Sequence, residues 1–171
     1  MSKALDGKVE VTIDPSDDIY GTDGRDAIIR KFHELRPSTK VVGMGAGAAG
    51  LMPELWLLLA VGASAVASGF LQALGADVYE KLKNAILKTA DIRPKPTAPS
   101  LPPDYKGEIY TNLMWRISFQ DTSLLIELGL IDEETVEKAL SNLPIIIDQV
   151  LKTSHDRFIR LIWDGKGWKR L

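Results

Sequence analysis

A stretch of 22 residues without a charged side chain, Leu55 to Ala76, limits what this chain can fold into more than any other feature. As an α-helix it would be long enough to cross a lipid bilayer. The same helix could instead lie at the centre of a globular core. We predict one long apolar helix over residues 55–76, buried in a core or at an interface, and we keep insertion into a membrane as the alternative.

Small side chains in this stretch predict a close contact between helices. Ser64 and Ser68 are four residues apart, as are Ala63 and Ala67, and this spacing lets two helices approach each other closely. We therefore predict self-association into a homo-oligomer, through an interface that comprises Trp56, Ser64, Ala67, Ser68 and Phe70. Ser68→Leu would place a larger side chain in this close contact, and we expect it to destabilise the protein by about 1–3 kcal/mol.

The size and composition of the chain favour a single domain over residues 1–171. Hydrophobic residues make up 45% and charged residues 26%, which is ordinary for a globular protein. The formal net charge of −2 gives no overall field that would attract nucleic acid. The absence of cysteine suits a reducing compartment, and the segment MSKALDGKVEV lacks the apolar region of a signal peptide. We expect a cytoplasmic protein, or a membrane-associated one if residues 55–76 insert.

Hydrophobic periodicity predicts an α+β fold. The expected sheet contains an N-terminal strand, a central strand and a C-terminal hairpin, and it packs on the apolar helix and on further helices. The strand predictions cover residues 8–13, 39–42 and 108–120, and a tight turn at 164–167 between Trp163 and Trp168 closes the hairpin. Helices are expected from Thr22 or Asp23 to Pro37, from about Asp77 to Lys88, over residues 122–128, and after Asp132. Residues 93–103 hold five of the nine prolines and predict a linker.

Residues that could carry chemistry are few and scattered. Gly45, Gly47 and Gly50 match the pattern of a dinucleotide-binding turn, but no acidic residue follows at the end of a second strand. His33 and His155 have no second ligand at metal spacing. We therefore predict a protein that is not an enzyme and has no catalytic residue, metal or cofactor. A nucleotide-binding enzyme that uses the glycine run 45–50 is a further alternative.

Four segments, KVEVTID, GRDAIIRKFHEL, GAGAAGL and WLLLAVGASAVASGFLQALG, follow one another through the N-terminal half of the chain. The order of strand, helix, short strand, small-residue loop, long apolar helix and C-terminal strands resembles small bacterial effector-associated adaptor components of conflict and immunity systems. The resemblance implies a protein-interaction adaptor without catalytic activity, and it transfers no functional residue. Together with the interface prediction, it suggests a self-associating adaptor, and the rival hypothesis is a membrane-inserting effector.

Overall fold

The structure, a computed structural model, describes residues 12–13, 17–33, 40–41, 54–92 and 110–171. Within these ranges the chain has an α+β fold with a mixed sheet of seven strands in the order β2-β1-β3-β4-β5-β6-β7. The elements are β1 (Thr12–Ile13), α1 (Asp17–His33), β2 (Lys40–Val41), β3 (Glu54–Ala60), α2 (Ala65–Ser68), α3 (Phe70–Leu74), α4 (Ala76–Ala90), β4 (Thr111–Ser118), β5 (Ser123–Leu130), α5 (Glu133–Thr153), β6 (Phe158–Trp163) and β7 (Trp168–Arg170).

Two parallel pairs and two antiparallel hairpins build the main part of the sheet. β3 pairs with β4 in parallel, and β5 pairs with β6 in parallel. A short turn joins β4 to β5, and the C-terminal turn joins β6 to β7. A parallel pair needs a crossover connection, and helices α2–α4 and α5 lie in the two crossover segments. The short strands β1 and β2 extend the sheet beyond β3.

The core lies between the helices and one face of the sheet. In β3 and β4 the odd-numbered residues face the helices, whereas in β5 the even-numbered ones do. All five helices contribute buried side chains to this one cluster. An aromatic group connects its layers: Phe70 packs edge-on against Tyr79 and Phe119, and Tyr79 stacks on Trp115. The Tyr79 hydroxyl donates to the carbonyl oxygen of Leu140, and burial, followed by the charge of Glu80, raises the pKa of Tyr79 above its ordinary value.

The prediction of one helix over residues 55–76 is wrong. Its first part is the strand β3, in which Leu55, Leu57 and Leu59 are buried against the helices. Its remainder forms α2 and α3 and ends where α4 begins. Gly69 and Gly75 separate these helices with φ angles of +83° and +95°, which side chains rarely allow. In the described ranges no helix combines the length and the apolar character that crossing a membrane requires.

Two further predictions differ from the structure. Residues 122–128 are not a helix but most of β5, which pairs with β4 on one side and β6 on the other. The expected loop before Asp23 is already helical from Asp17, so α1 begins about one and a half turns earlier than predicted. The glycine run 45–50 and the proline-rich segment 93–103 lie outside the described residues, and a single domain stays a prediction.

The signals that depend on local chemistry are confirmed. The predicted central strand is β4, and its core-facing residues Leu113, Trp115 and Ile117 alternate with residues of the opposite face, of which Met114 is also buried. Asp132 caps α5, since its carboxylate accepts from the backbone N–H of Thr135 at 2.7 Å. Helix α5 then continues through Pro144 to Thr153. Trp163 and Trp168 pair across the C-terminal hairpin with ring centroids 5.5 Å apart.

The turn of this hairpin is held by the Asp164 carboxylate. Oδ1 accepts from the backbone N–H groups of Lys166 and Gly167, both at 2.9 Å, and Oδ2 pairs with the Lys169 ammonium at 2.6 Å. The Lys169 interaction first, and the two backbone donors after it, hold the pKa of Asp164 below its ordinary value. The turn sequence thus fixes the register that places Trp168 opposite Trp163.

Gly165→Ala is expected to lower the free energy of unfolding by about 1–2 kcal/mol, because Gly165 has a φ of +91° and a Cβ is disfavoured there. No atom lies within 4 Å of the position its Cβ would take, so the cost is conformational rather than steric. Gly167→Ala is the matched control: it is in the same turn, has equal space and lacks a positive φ. Equal losses for the two variants in urea unfolding would contradict this explanation.

Candidate interaction surfaces

The residues that the sequence assigns to one interface lie in three different places. Ala67 and Ser68 are exposed on α2, and Ser64 is half-buried at its N-terminus. Phe70 is fully buried in the aromatic group of the core. Trp56 is half-buried on β3, at a position that alternates with the core-facing leucines. The structure therefore keeps Ser64, Ala67 and Ser68 together and separates Trp56 and Phe70 from them.

The short helix α2 is fixed by hydrogen bonds at its first residue. Ser64 Oγ accepts from the backbone N–H of Ala67 at 3.1 Å and donates to the carboxylate of Asp121. The other oxygen of that carboxylate accepts from the N–H of Ala65 at 3.2 Å. Desolvation raises the pKa of Asp121, but these hydrogen bonds outweigh it, and the net pKa lies below the ordinary value. The turn between β4 and β5 thereby anchors α2 beside the end of β3.

Helices α2 and α3 meet α5 at Asp148. The backbone N–H of Phe70 donates to Asp148 Oδ1 at 2.8 Å, and this carboxylate lies 3.7 Å from where a Cβ on Gly69 would be. The junction between the two short helices is therefore held against the middle of α5. Ile145 lies three residues before Asp148, which places it on the adjacent turn of the same side of the helix.

Large apolar side chains are exposed on each of the three helices that meet here. Val66 on α2 is 58% exposed, Leu71 on α3 is 36% exposed, and Ile145 on α5 is 61% exposed. They are three of the six large hydrophobic residues that are exposed in the described part of the chain. We call the group formed by Val66, Ala67, Ser68, Leu71 and Ile145 the helical patch. The periodicity of the sequence did not indicate Leu71 or Ile145 as surface residues.

A second surface is the face of the sheet that points away from the helical core, which we call the outer face. Two large apolar residues are exposed on it, Leu58 on β3 at 38% and Phe158 on β6 at 50%. Met114 and Glu127 are buried near its centre, opposite each other on β4 and β5. From Trp56 onward, the remaining positions that alternate with core residues on β3–β6 are Trp56, Ala60, Asn112, Arg116, Ser118, Ser123, Leu125, Gly129, Arg160 and Ile162.

Most cations of the C-terminal hairpin have anionic partners. The Arg160 guanidinium pairs with the Glu127 carboxylate, which raises the pKa of Arg160. Arg170 pairs with Asp156, and Lys169 pairs with Asp164. Trp168 uses its indole N–H to donate to the carbonyl oxygen of Ala139 on α5 at 2.8 Å. The alternation of basic and aromatic residues at the end of the sequence therefore serves the packing of the hairpin.

The part of the chain that the structure describes contains no cluster of possible metal ligands. His155 is exposed, and no group of three histidine or acidic residues there could hold a metal ion. Comparisons with family models, with curated proteins and with solved structures find no match.

Arg160→Met is expected to destabilise the protein at pH 7, because it leaves the buried carboxylate of Glu127 without its cation. Adding Glu127→Leu should recover stability at pH 7, because no unpaired charge then remains buried. Arg157→Met is the control, since Arg157 is an exposed residue just before the same strand. Urea unfolding at pH 7 compares these three variants with the wild type, and a double variant no more stable than Arg160→Met would contradict the expectation.

Proposed function

We propose that this protein is a non-catalytic protein-interaction module that self-associates through the helical patch. The observation that carries the proposal is the exposure of Val66, Leu71 and Ile145 on three helices, two of which are joined by the hydrogen bond from Phe70 to Asp148. Single exposed apolar residues are common on protein surfaces, whereas contiguous groups mark interaction sites. The small neighbours Ala67 and Ser68 would allow a second backbone to approach closely.

A second copy of the chain is the partner that fits this patch best. The large side chains of the patch are apolar, and in a symmetric dimer the same surface of both copies meets itself. Ile145 would then pack on the α2–α3 side of its partner, where Val66 and Leu71 are exposed. This keeps Ser64, Ala67 and Ser68 near the contact, as the sequence suggested, without Phe70.

Light scattering coupled to size-exclusion chromatography tests the proposal on the full chain. The wild type is expected to run as an oligomer whose mass falls to that of one chain on dilution. Ile145→Glu should produce the single chain at all concentrations, because it places a charge in the centre of the apolar contact. Lys138→Glu is the control: it lies on α5, is exposed, and is about two turns from Ile145.

Two results would remove the proposal. One is a wild type that has the mass of a single chain at the highest soluble concentration. The other is an oligomer whose mass is unchanged by both Ile145→Glu and Val66→Lys. Since both positions are exposed, we expect these variants to keep the circular dichroism spectrum of the wild type.

A role in bacterial defence rests on the sequence resemblance, which suggests an adaptor. In such a role, self-association would bring together the partners that each copy carries. Measuring whether a nucleotide shifts the melting temperature of the full chain addresses the glycine run 45–50, because a nucleotide that binds the folded state would raise that temperature.

A further inference from the structure

A row of side chains on the outer face places two arginines on either side of a leucine. Arg116 on β4, Leu125 on β5 and Arg160 on β6 lie opposite one another in the strand register. Neighbouring strands are about 4.8 Å apart, so the Cα atoms of the two arginines are separated by roughly 10 Å. Both arginine side chains are exposed.

The two arginines differ in their partners. Arg160 pairs with Glu127, so its charge is balanced on the outer face itself. Arg116 forms no ion pair or side-chain hydrogen bond with any of the residues that the structure describes. An exposed guanidinium offers five donors in a planar fork that fits a carboxylate. The row therefore presents one positive charge that a partner could balance.

Apolar side chains border this charge. Leu58 is directly opposite Arg116 on β3, and Phe158 is two residues before Arg160 on β6. Both are large and exposed, and Leu125 lies between the two arginines. The combination of an unbalanced guanidinium with aliphatic and aromatic neighbours matches a protein segment better than a polyanion, which needs several free cations.

We propose that the outer face binds a partner protein segment that places an acidic side chain on Arg116 and apolar side chains on Leu58 and Phe158. This surface is on the opposite side of the sheet from the helical patch. It would give each copy a site for a second protein that is independent of self-association. The charge of Arg116 favours an acidic residue in the partner, and Leu58 and Phe158 provide apolar surface that the partner would bury.

A random peptide library displayed on phage tests the proposal against the full chain. Peptides with Asp or Glu near Leu, Ile, Phe or Trp are expected to be enriched on the wild type and on the control Lys138→Glu, whose charge lies on α5. A selected peptide should bind Arg116→Glu and Arg116→Gln roughly tenfold to a hundredfold more weakly, which is the effect of losing one charged hydrogen bond. Changing its acidic residue to the amide should cause a similar loss.

Several outcomes would overturn this inference: no enrichment, enrichment without acidic residues, or equal binding to the wild type and both Arg116 variants. Displacement of the peptide by a single-stranded oligothymidylate would identify a nucleic-acid surface instead. Phe158→Ser should weaken binding while Arg116 is intact, which checks the apolar border separately. Binding by Ile145→Glu at wild-type strength would separate this site from the dimer contact, so that either proposal can fail without the other.

Discussion

Phe70→Ala is expected to lower the free energy of unfolding by about 3–5 kcal/mol, which is typical for removing a buried aromatic ring. Phe70 is fully buried and makes edge-to-face contacts with Tyr79 and Phe119, with ring centroids 5.7 and 5.9 Å away. Its loss would leave a cavity between α3, α4 and the turn after β4. Urea or thermal unfolding followed by circular dichroism measures the effect.

Ser68→Leu is the informative companion, because the sequence and the structure give opposite expectations for it. A buried helix contact would make the larger side chain cost about 1–3 kcal/mol. The structure exposes Ser68, so we expect a change within about 0.5 kcal/mol in the unfolding of the single chain. If Phe70→Ala instead left the free energy of unfolding unchanged but abolished the oligomer, Phe70 would belong to the interface rather than to the core.

The failed helix prediction has a physical cause in the surroundings of β3. Leu55, Leu57 and Leu59 alternate with Trp56 and Leu58, so both faces of the strand are apolar and no polar alternation reveals it. A strand paired in parallel at the middle of a sheet often appears as a continuous hydrophobic run. Leucine and alanine also favour helices when considered alone. The pairing with β4 and β1 decides the outcome, and it depends on residues far away in the sequence.

The pairing of β5 with β4 and β6 is likewise not visible locally, and Leu124, Leu125 and Ile126 form a continuous apolar run that conceals the alternation of its other residues. By contrast, β4 could be predicted because its polar residues alternate with its core residues. The beginning of α5 could be predicted because Asp132 forms its cap within three residues. Local sequence was therefore sufficient to predict an element when the residues that stabilise it lie close together in the sequence.

The candidate surfaces were partly predictable. The small residues of α2 were identified, since their composition is unusual. The sequence could not place Ile145 on the same surface as these residues. The contact of α5 with α3 involves the hydrogen bond between Phe70 and Asp148, which are 78 residues apart. Arg116 looked like any polar position of an alternating strand. Only the register that aligns it with Leu58 and Leu125 shows its apolar border.

Trp115→Ala is expected to cost about 3–5 kcal/mol, because Trp115 is the largest fully buried side chain and lies in the middle of the sheet. Its ring stacks on Tyr79, with centroids 6.2 Å apart and an angle of 16° between the planes. Its indole N–H is buried and has no hydrogen-bond partner among the described residues. A buried donor without a partner costs about 1–3 kcal/mol, and this cost is already present in the wild type.

Trp115→Phe should therefore be much milder than Trp115→Ala, since it removes the unpaired donor while it keeps an aromatic ring against Tyr79. Trp168→Phe is the comparison, because the N–H of Trp168 does donate, to the carbonyl oxygen of Ala139. That variant loses a hydrogen bond, worth about 0.5–1.5 kcal/mol, whereas Trp115→Phe loses none. Unfolding in urea compares the three variants. If Trp115→Phe proves as costly as Trp115→Ala, the indole N–H of Trp115 contributes stability that the packing of its ring does not explain.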